Sequence, residues 1–340
     1  MNTGFIDLNA AADLLAPGAI EVPYWQPEIL DIVRRRGILG QRIRSTPATG
    51  QPSRYFEQTR IVAGGFQDPR NLTHTPGADP TRRDRGLMIK AIVGSINFGL
   101  FDVEVTRQQN GGQYSYLVAK DLADTISGTM RSHDLGLWRG NDTNLLIPST
   151  VEYVGGLTQI NRTASIASSA SIIDGLTAEV ASLMSNESFT VMPSAIYLNP
   201  VVCNFINQEE RANHRQIPTT MVNTVNGALQ VTGIATVAGV IPLIPDWTLP
   251  NGASAGSASE AGKTDYYAVI LMEELVEYHY VSSDIPRVFA LGLNPDLATR
   301  HMVVMFGAPV FKGKANATQS QSTTETGQVT YAHTVVTIVR

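Results

Sequence analysis

Residues 111–144, "GGQYSYLVAKDLADTISGTMRSHDLGLWRGNDTN", contain the strongest structural signal in the chain. Apolar residues recur there every four positions, which is the spacing of one face of an α-helix. Residue pairs with helix-breaking character stand at both ends, at Gly111–Gly112 and Gly140–Asn141. The pattern predicts a helix of about 25 residues, about 38 Å long, whose apolar face packs on a sheet. That face consists of Leu117, Val118, Leu122, Ile126, Met130, Leu137 and Trp138.

Two segments before this helix predict a long hairpin. Residues 53–62 and 86–106 are rich in β-branched and aromatic residues and flank a Gly/Pro/Asp-rich loop at 63–86. A limb of about 20 residues extends about 65 Å as a strand, whereas a compact chain of this length has a radius of gyration of about 20 Å. A two-stranded ribbon alone is marginally stable in water. We therefore expect the hairpin to pack on a partner, with folding back on its own body as the alternative.

Charge is distributed unevenly along the chain. The chain is acidic overall, with 25 Lys and Arg against 30 Asp and Glu, but residues 34–90 carry twelve basic and four acidic residues, a local balance of +8. Arg82, Arg83 and Arg85 lie together in "DPTRRDRG" at 79–86. Such asymmetry indicates contact with a surface of opposite charge. Contact with another protein is the favoured interpretation, with a solvated loop and phosphate binding as alternatives.

The remaining sequence predicts a mixed α+β protein without regular βαβ alternation. Prolines break residues 1–48 into an extended arm, with a brief helix from Pro27 to Gly37. Further on, a capping box at Ser171 and Asp174 predicts a second helix, and Asn199–Pro200 predicts the start of a third. Strands are predicted at 195–198, 240–247, 266–273, 276–282, 301–311 and 332–340, and an exposed loop at 251–265.

The sequence contains no motif typical of catalysis or of metal and cofactor binding. Cys203 is the single cysteine, which excludes an intramolecular disulfide and indicates a small buried side chain. The six histidines show no metal-ligand spacing, and no phosphate-binding loop or nucleophile elbow is present. Glu277 and His279 share one face of a predicted strand near Glu273 and Glu274, for which a polar sheet face or an inter-subunit contact is the favoured interpretation.

The N-terminal stretch and the hydropathy bear on location. "MNTGFIDLNAAADLLAPG" lacks the basic and apolar regions of a secretory signal. No window approaches the roughly 20 apolar residues of a membrane span. We therefore expect a soluble protein without a membrane partner.

The order of these parts resembles the major capsid protein of tailed bacteriophages, the Hong Kong-97-type shell fold. The local matches are "LGLWRGNDTN" at 135–144, "VGGLTQI" at 154–160, and "SAIYLNPVVCNFI" at 194–206. The likeness covers nearly the whole chain. It implies five parts: an N-terminal arm at 1–48, an extended hairpin at 49–106, a peripheral domain with a spine helix at 107–165, an axial domain at 166–299, and return strands at 300–340.

The resemblance implies a structural protein and not an enzyme. Copies of the chain would form the hexamers and pentamers of an icosahedral virion shell around double-stranded DNA, contacted without sequence specificity, with assembly in the host cytoplasm. Each hairpin would lie over a neighbouring subunit, with the arginine cluster near its tip on an acidic surface. The residues we assign to this interface are Arg54, Phe56, Arg60, Arg70, Arg82, Arg83 and Arg85.

The resemblance also implies further partners and one alternative. A scaffolding protein, a portal and decoration or cement proteins are candidate partners; because the sequence starts at Met1, we expect the scaffold to be a separate chain. Some members of the family cross-link a loop lysine to an asparagine, but the first lysine here is Lys90, so we expect non-covalent reinforcement. An encapsulin nanocompartment shares the shell fold and is the alternative, and an unrecognised enzyme is a more distant one.

Overall fold

The fold is mixed α+β, as the sequence predicts. A computed structural model describes residues 37–60, 66–70, 81–101, 114–185, 190–212, 219–224, 227–253, 262–293, 298–313 and 332–340. The strands among these residues form a five-stranded sheet, an eight-stranded sheet and a two-stranded ribbon.

The elements are numbered in chain order. The helices are α1 (Leu39–Arg42), α2 (Tyr114–Arg139), α3 (Gly156–Gln159), α4 (Ile172–Met184) and α5 (Pro200–Ala212). The strands are β1 (Arg44–Pro47), β2 (Ser53–Arg60), β3 (Thr81–Leu87), β4 (Lys90–Gly99), β5 (Thr163–Ile166), β6 (Ala195–Leu198), β7 (Thr219–Thr224), β8 (Gly227–Thr236), β9 (Gly239–Pro245), β10 (Asn251–Ala253), β11 (Thr264–Leu271), β12 (Val276–Tyr280), β13 (Arg287–Leu293), β14 (Ala298–Phe311) and β15 (Thr334–Val339).

The five-stranded sheet is organised around the long strand β14. One edge of β14 pairs antiparallel with β4, and the other edge pairs with β13 and then with β12. β1 extends this sheet by parallel pairing with β12. The long helix α2 packs against β4 and β14.

The predicted long helix is confirmed as α2, which spans 26 residues. At its C-terminal end Leu137 and Trp138 are fully buried, and Met130 is partly buried against the same core. Leu122 and Ile126, on the same predicted face, are half-buried. Among the described side chains of this helix, the fully buried large apolar ones therefore lie in its last turn, while the side chains of Leu117 and Val118 lie outside the described residues.

The eight-stranded sheet forms a second core with α4 and α5. Its strand order is β5-β15-β11-β6-β9-β8-β7, with β10 paired to β11. Both predicted helix starts are confirmed: Ser171 Oγ accepts from the Asp174 amide at 3.2 Å, and Asn199 Oδ1 accepts from the Val201 amide at 3.1 Å. These bonds satisfy amides that the first turn of a helix leaves unpaired.

A buried hydrogen bond joins α2 to the end of β9. The Trp138 indole donates from Nε1 to Asp246 Oδ2 at 3.1 Å, and both residues are fully buried. Asp246 Oδ1 accepts from the amide and hydroxyl of Thr248 at 3.0 and 2.7 Å. The carboxylate is therefore satisfied on both oxygens, and it ties the helix of one sheet to a turn of the other.

Two glycines allow the chain to cross itself just after α2. The Gly155 amide donates to the Gly140 carbonyl at 3.1 Å. A Cβ on Gly155 would lie 2.6 Å from the backbone nitrogen of Gly140 and nearer still to the Trp138 carbonyl oxygen. This contact explains why both segments of the local match, 135–144 and 154–160, contain glycine at the crossing.

We expect Gly155→Ala to destabilise the protein by about 1–3 kcal/mol or more, because the clashing atoms belong to the backbone and cannot rotate away. Thermal unfolding of the full chain measures this cost. Gly252→Ala is the matched control, because a Cβ there meets no atom within 4 Å. Equal melting temperatures for the two variants would contradict the proposed crossing.

The prediction of one long hairpin is wrong in two respects. Residues 81–86, predicted as loop, form β3 together with Leu87 and pair antiparallel with β2 from Thr81↔Arg60 to Leu87↔Ser53. The next part of the predicted return limb, β4, pairs with β14 instead. Arginine-rich "TRRDRGL" has low intrinsic strand preference, so its pairing with β2 decides its conformation. The end of that limb, 102–106, lies outside the described residues.

The end of the predicted arm belongs to the body of the protein. Leu39 and Ile43 are buried in the first core, and β1 is part of the five-stranded sheet. Arg42 donates from Nε and Nη2 to the two carboxylate oxygens of Glu273 at 2.6 and 2.8 Å, which holds α1 in place. The predicted helix from Pro27 lies outside the described residues.

Besides β3, six strands were not predicted from the sequence pattern. They are β1, β5, β7, β8, β10 and β13. β10 lies within the loop predicted at 251–265.

Candidate subunit interface

The β2–β3 ribbon has two chemically different faces. Side chains alternate across a strand, and the register places Phe56 opposite Asp84 and Tyr55 opposite Arg85. Successive residues of β2 accordingly alternate between buried and exposed positions. The inner face contains Ser53, Tyr55, Glu57, Arg85 and Leu87, and the outer face contains Arg54, Phe56, Gln58, Arg82 and Asp84.

The inner face attaches the ribbon to its own chain. Tyr55 and Leu87 are buried in the first core. The Arg85 guanidinium is 2% exposed and donates to Glu57 Oε2 at 3.1 Å. The other oxygen of Glu57 accepts from the Gly313 amide at 3.2 Å. The base of the ribbon is therefore packed on its own body, which is the alternative that the sequence left open.

The outer face presents apolar and basic groups to solvent. Phe56 is 76% exposed, and Arg82 is exposed. Arg54 forms an ion pair with Asp84 at 2.7 Å, in which both side chains are exposed, so the pair contributes little to stability. An aromatic ring flanked by arginines is the composition found at the centre of protein interfaces.

The structure separates the seven predicted interface residues. Arg54, Phe56 and Arg82 lie on the outer face, where a partner could reach them. Arg70 is exposed in the segment 66–70, which also exposes Phe66. Arg85 points inward to Glu57, so its guanidinium serves the chain's own fold. The side chains of Arg60 and Arg83 lie outside the described residues.

Two of the three glutamates singled out near His279 are used within the chain, and Glu274 is exposed. Glu273 binds Arg42, and Glu277 lies 3.2 Å from His279 Nε2, on the strand face that the sequence predicts. Lys312 and Ser53 also contact these two side chains. The sequence did not identify either residue as a partner, because both are distant in the chain; Ser53 and His279 are 226 positions apart.

This Ser–His–Glu row resembles a nucleophile with its base, but Ser53 is fully buried. A substrate therefore cannot reach its hydroxyl in this conformation.

The part of the chain that the structure describes gives little support for a metal site, a membrane-spanning helix or a reactive thiol. No group of three or more metal-ligating side chains occurs there, and no helix there is long and apolar enough to span a bilayer. Burial raises the pKa of the Cys203 thiol to about 12, so it is protonated at neutral pH. Its side chain packs against the second core, as the sequence predicts.

Comparisons with known proteins give a consistent fold. No protein-family model matches the sequence, and no curated protein does. Among solved structures, the acid-stable capsid of Helicobacter pylori bacteriophage KHP30 matches at a TM-score of 0.61 and 12% identity, covering 100% of this chain and 98% of that chain.

Two further structures match over similar lengths. The capsid of phage XM1 matches at a TM-score of 0.54 and 9% identity, covering 94% of this chain and 99% of that chain. The holo-SrpI encapsulin complex from Synechococcus elongatus matches at a TM-score of 0.54 and 14% identity, covering 96% of this chain and 94% of that chain. The chain therefore has the α+β fold that is found in phage capsid proteins and in an encapsulin.

Proposed function

We propose that this chain is a major capsid protein of a tailed bacteriophage, with the Hong Kong-97-type fold. Its copies would assemble through hexamers and pentamers into an icosahedral shell around double-stranded DNA. The observation that carries the proposal is the outer face of the β2–β3 ribbon. It exposes Phe56 and Arg82 while the inner face is already packed. The fold similarity over nearly the whole chain supports the same function.

The ribbon would lie on a second copy of the chain. A two-stranded ribbon that buries only one face gains stability when a neighbour covers the other face. Residues outside 34–90 carry a net charge of −13, so another copy offers acidic surface to the exposed arginines. Arginine forms bidentate contacts with carboxylates, which suits such an interface.

An encapsulin-type shell is the second candidate, favoured by the match to an encapsulin of similar length. Particles purified from the native source distinguish the two. A large DNA genome inside them identifies a virus, whereas one defined enzyme identifies a nanocompartment. Scaffolding, portal and decoration proteins belong to the viral proposal alone.

Negative-stain electron microscopy of the full chain expressed alone tests the proposal. We expect closed shells, tubes or capsomer rings. Because no lysine precedes Lys90, such particles should run as single chains on a denaturing gel. A purified protein that stays monomeric at every concentration would contradict the proposal, and an enzymatic turnover by that monomer would favour the remaining alternative.

A further inference from the structure

A buried polar cluster connects the base of the ribbon to the five-stranded sheet. Ser53 Oγ lies 2.8 Å from Nδ1 of His279, and Nε2 of the same ring lies 3.2 Å from Glu277 Oε2. Lys312 Nζ lies 2.6 Å from that same carboxylate oxygen. Ser53 and His279 are buried. We refer to Ser53, Glu277, His279 and Lys312 as the His279 cluster.

The direction of each hydrogen bond in the cluster follows from the charge on Glu277. Burial acts to raise the pKa of this carboxyl, but Lys312 and the His279 ring outweigh it and hold the pKa below its usual range. An ionised carboxylate only accepts, so Nε2 of His279 carries the hydrogen. In the neutral ring Nδ1 is then an acceptor, and the Ser53 hydroxyl donates to it. Ser53 Oγ also accepts from the Thr49 amide at 3.4 Å.

A second proton on the ring reverses the bond to Ser53. Nδ1 becomes a donor, so Ser53 Oγ must accept from it while the hydroxyl hydrogen loses its acceptor. Ser53 is 0% exposed, and an unsatisfied buried donor is unfavourable. The imidazolium would also share one oxygen of Glu277 with the Lys312 ammonium, which places two cations side by side.

The neighbours of the ring come from four elements. Glu277 lies on its own strand β12, and Lys312 follows β14. From β2 come Ser53 and the uncharged ring of Tyr55, with ring centroids 6.2 Å apart. From β1, Thr46 pairs in register with His279. Among the described residues, Glu277 and Lys312 are therefore the charged groups that act on this ring, and the cation counteracts the carboxylate.

These surroundings determine the sign of the pH dependence. Burial, followed by Lys312, lowers the pKa of His279, and Glu277 opposes this only in part. A ring released into water has its ordinary pKa of about 6.5. The anchored state therefore binds fewer protons than the released state below pH 6.5. The equilibrium shifts towards release by up to roughly tenfold per pH unit, until the anchored ring is protonated too.

We propose that the His279 cluster is an acid-sensitive anchor for the ribbon. At neutral pH the cluster holds the start of β2 on the sheet, and a second proton on the His279 ring releases it. The anchor joins parts of one chain, so it does not depend on whether that chain forms a shell. It gives acid a way to loosen the start of the ribbon, with Tyr55, from the first core while the second core stays folded.

Hydrogen–deuterium exchange of the full chain between pH 7.5 and 5 tests this anchor. Relative to His279→Gln, whose neutral amide cannot take the proton, wild-type amides of residues 53–60 should lose protection by up to roughly tenfold per pH unit below about 6.5. Amides of α4, whose buried residues all belong to the second core, should not differ between the two proteins. His301→Gln replaces a histidine on the same sheet that meets the Phe98 ring edge-to-face, with ring centroids 5.6 Å apart, and it should behave like wild type.

Equal loss of ribbon protection in wild type and His279→Gln would overturn the proposal. Where that variant does not fold, exchange of the imidazole C2 hydrogen in the wild-type protein gives the pKa of His279 directly. The proposal requires that this pKa lie below the ordinary value and that the ribbon lose protection over the pH range in which the ring is protonated. A ribbon that stays protected on a fully protonated ring would overturn it.

Discussion

Shells should be lost when Phe56 and Arg82 are both replaced by glutamate, while the subunit itself stays folded. Both residues lie on the outer face of the ribbon, and Phe56 is largely exposed. Surface substitutions of this kind usually change the stability of a subunit by no more than about 0.5 kcal/mol. At the centre of an interface, however, aromatic and arginine residues each contribute about 2 kcal/mol or more. A shell repeats that loss in every subunit.

Electron microscopy measures this effect as the yield of closed particles, which we expect to fall at least about tenfold, since 1.4 kcal/mol already changes an equilibrium tenfold. Arg211→Glu is the control, because it reverses an exposed charge on α5, away from the ribbon. Normal yields from the double variant would remove the ribbon from the interface. Arg85 is unsuitable for this test, because its glutamate variant would face Glu57 inside the protein.

Trp138→Ala should be among the most destabilising substitutions in the chain. The side chain is fully buried against Tyr197 and Phe311, with ring centroids 5.7 and 6.2 Å away. Replacing a buried tryptophan by alanine costs about 3–5 kcal/mol. The change also removes the donor to Asp246, which leaves one oxygen of a buried carboxylate without this partner.

Trp247→Ala is the matched control for this prediction. Its ring is half-buried, and the Arg131 guanidinium lies 5.6 Å from the ring centroid. Such a cation–π contact contributes about 0.5–1 kcal/mol at exposed sites. Thermal unfolding should therefore show a much larger drop in melting temperature for Trp138→Ala. A smaller drop than in the control would contradict the role given to Trp138.

Local signals in the sequence were sufficient for the three long helices, α2, α4 and α5, but did not predict the four-residue helices α1 and α3. The four-residue apolar spacing predicted α2, and Ser171 and Asn199 marked the starts of α4 and α5 because capping is decided within one turn. Strands rich in apolar residues, such as β11 and β15, were predicted for the same reason. These features depend on residues that are neighbours in the chain.

The candidate site was predicted less completely, because it depends on pairing between distant segments. The sequence identified the region of Arg54, Phe56 and Arg82 but placed Arg82 in a loop, since β3 becomes a strand only through its register with β2. The same register turns Arg85 inward. The partners of His279 come from β2 and from the segment after β14, and no local pattern brings them together.

A cryo-electron microscopy reconstruction of particles formed by the full chain would test the central claim, that the ribbon is completed by a second copy. We predict that Phe56 and Arg82 contact a neighbouring subunit, while Tyr55 and Arg85 keep their contacts within their own chain. Particles in which the outer face of the ribbon remains in solvent would contradict it.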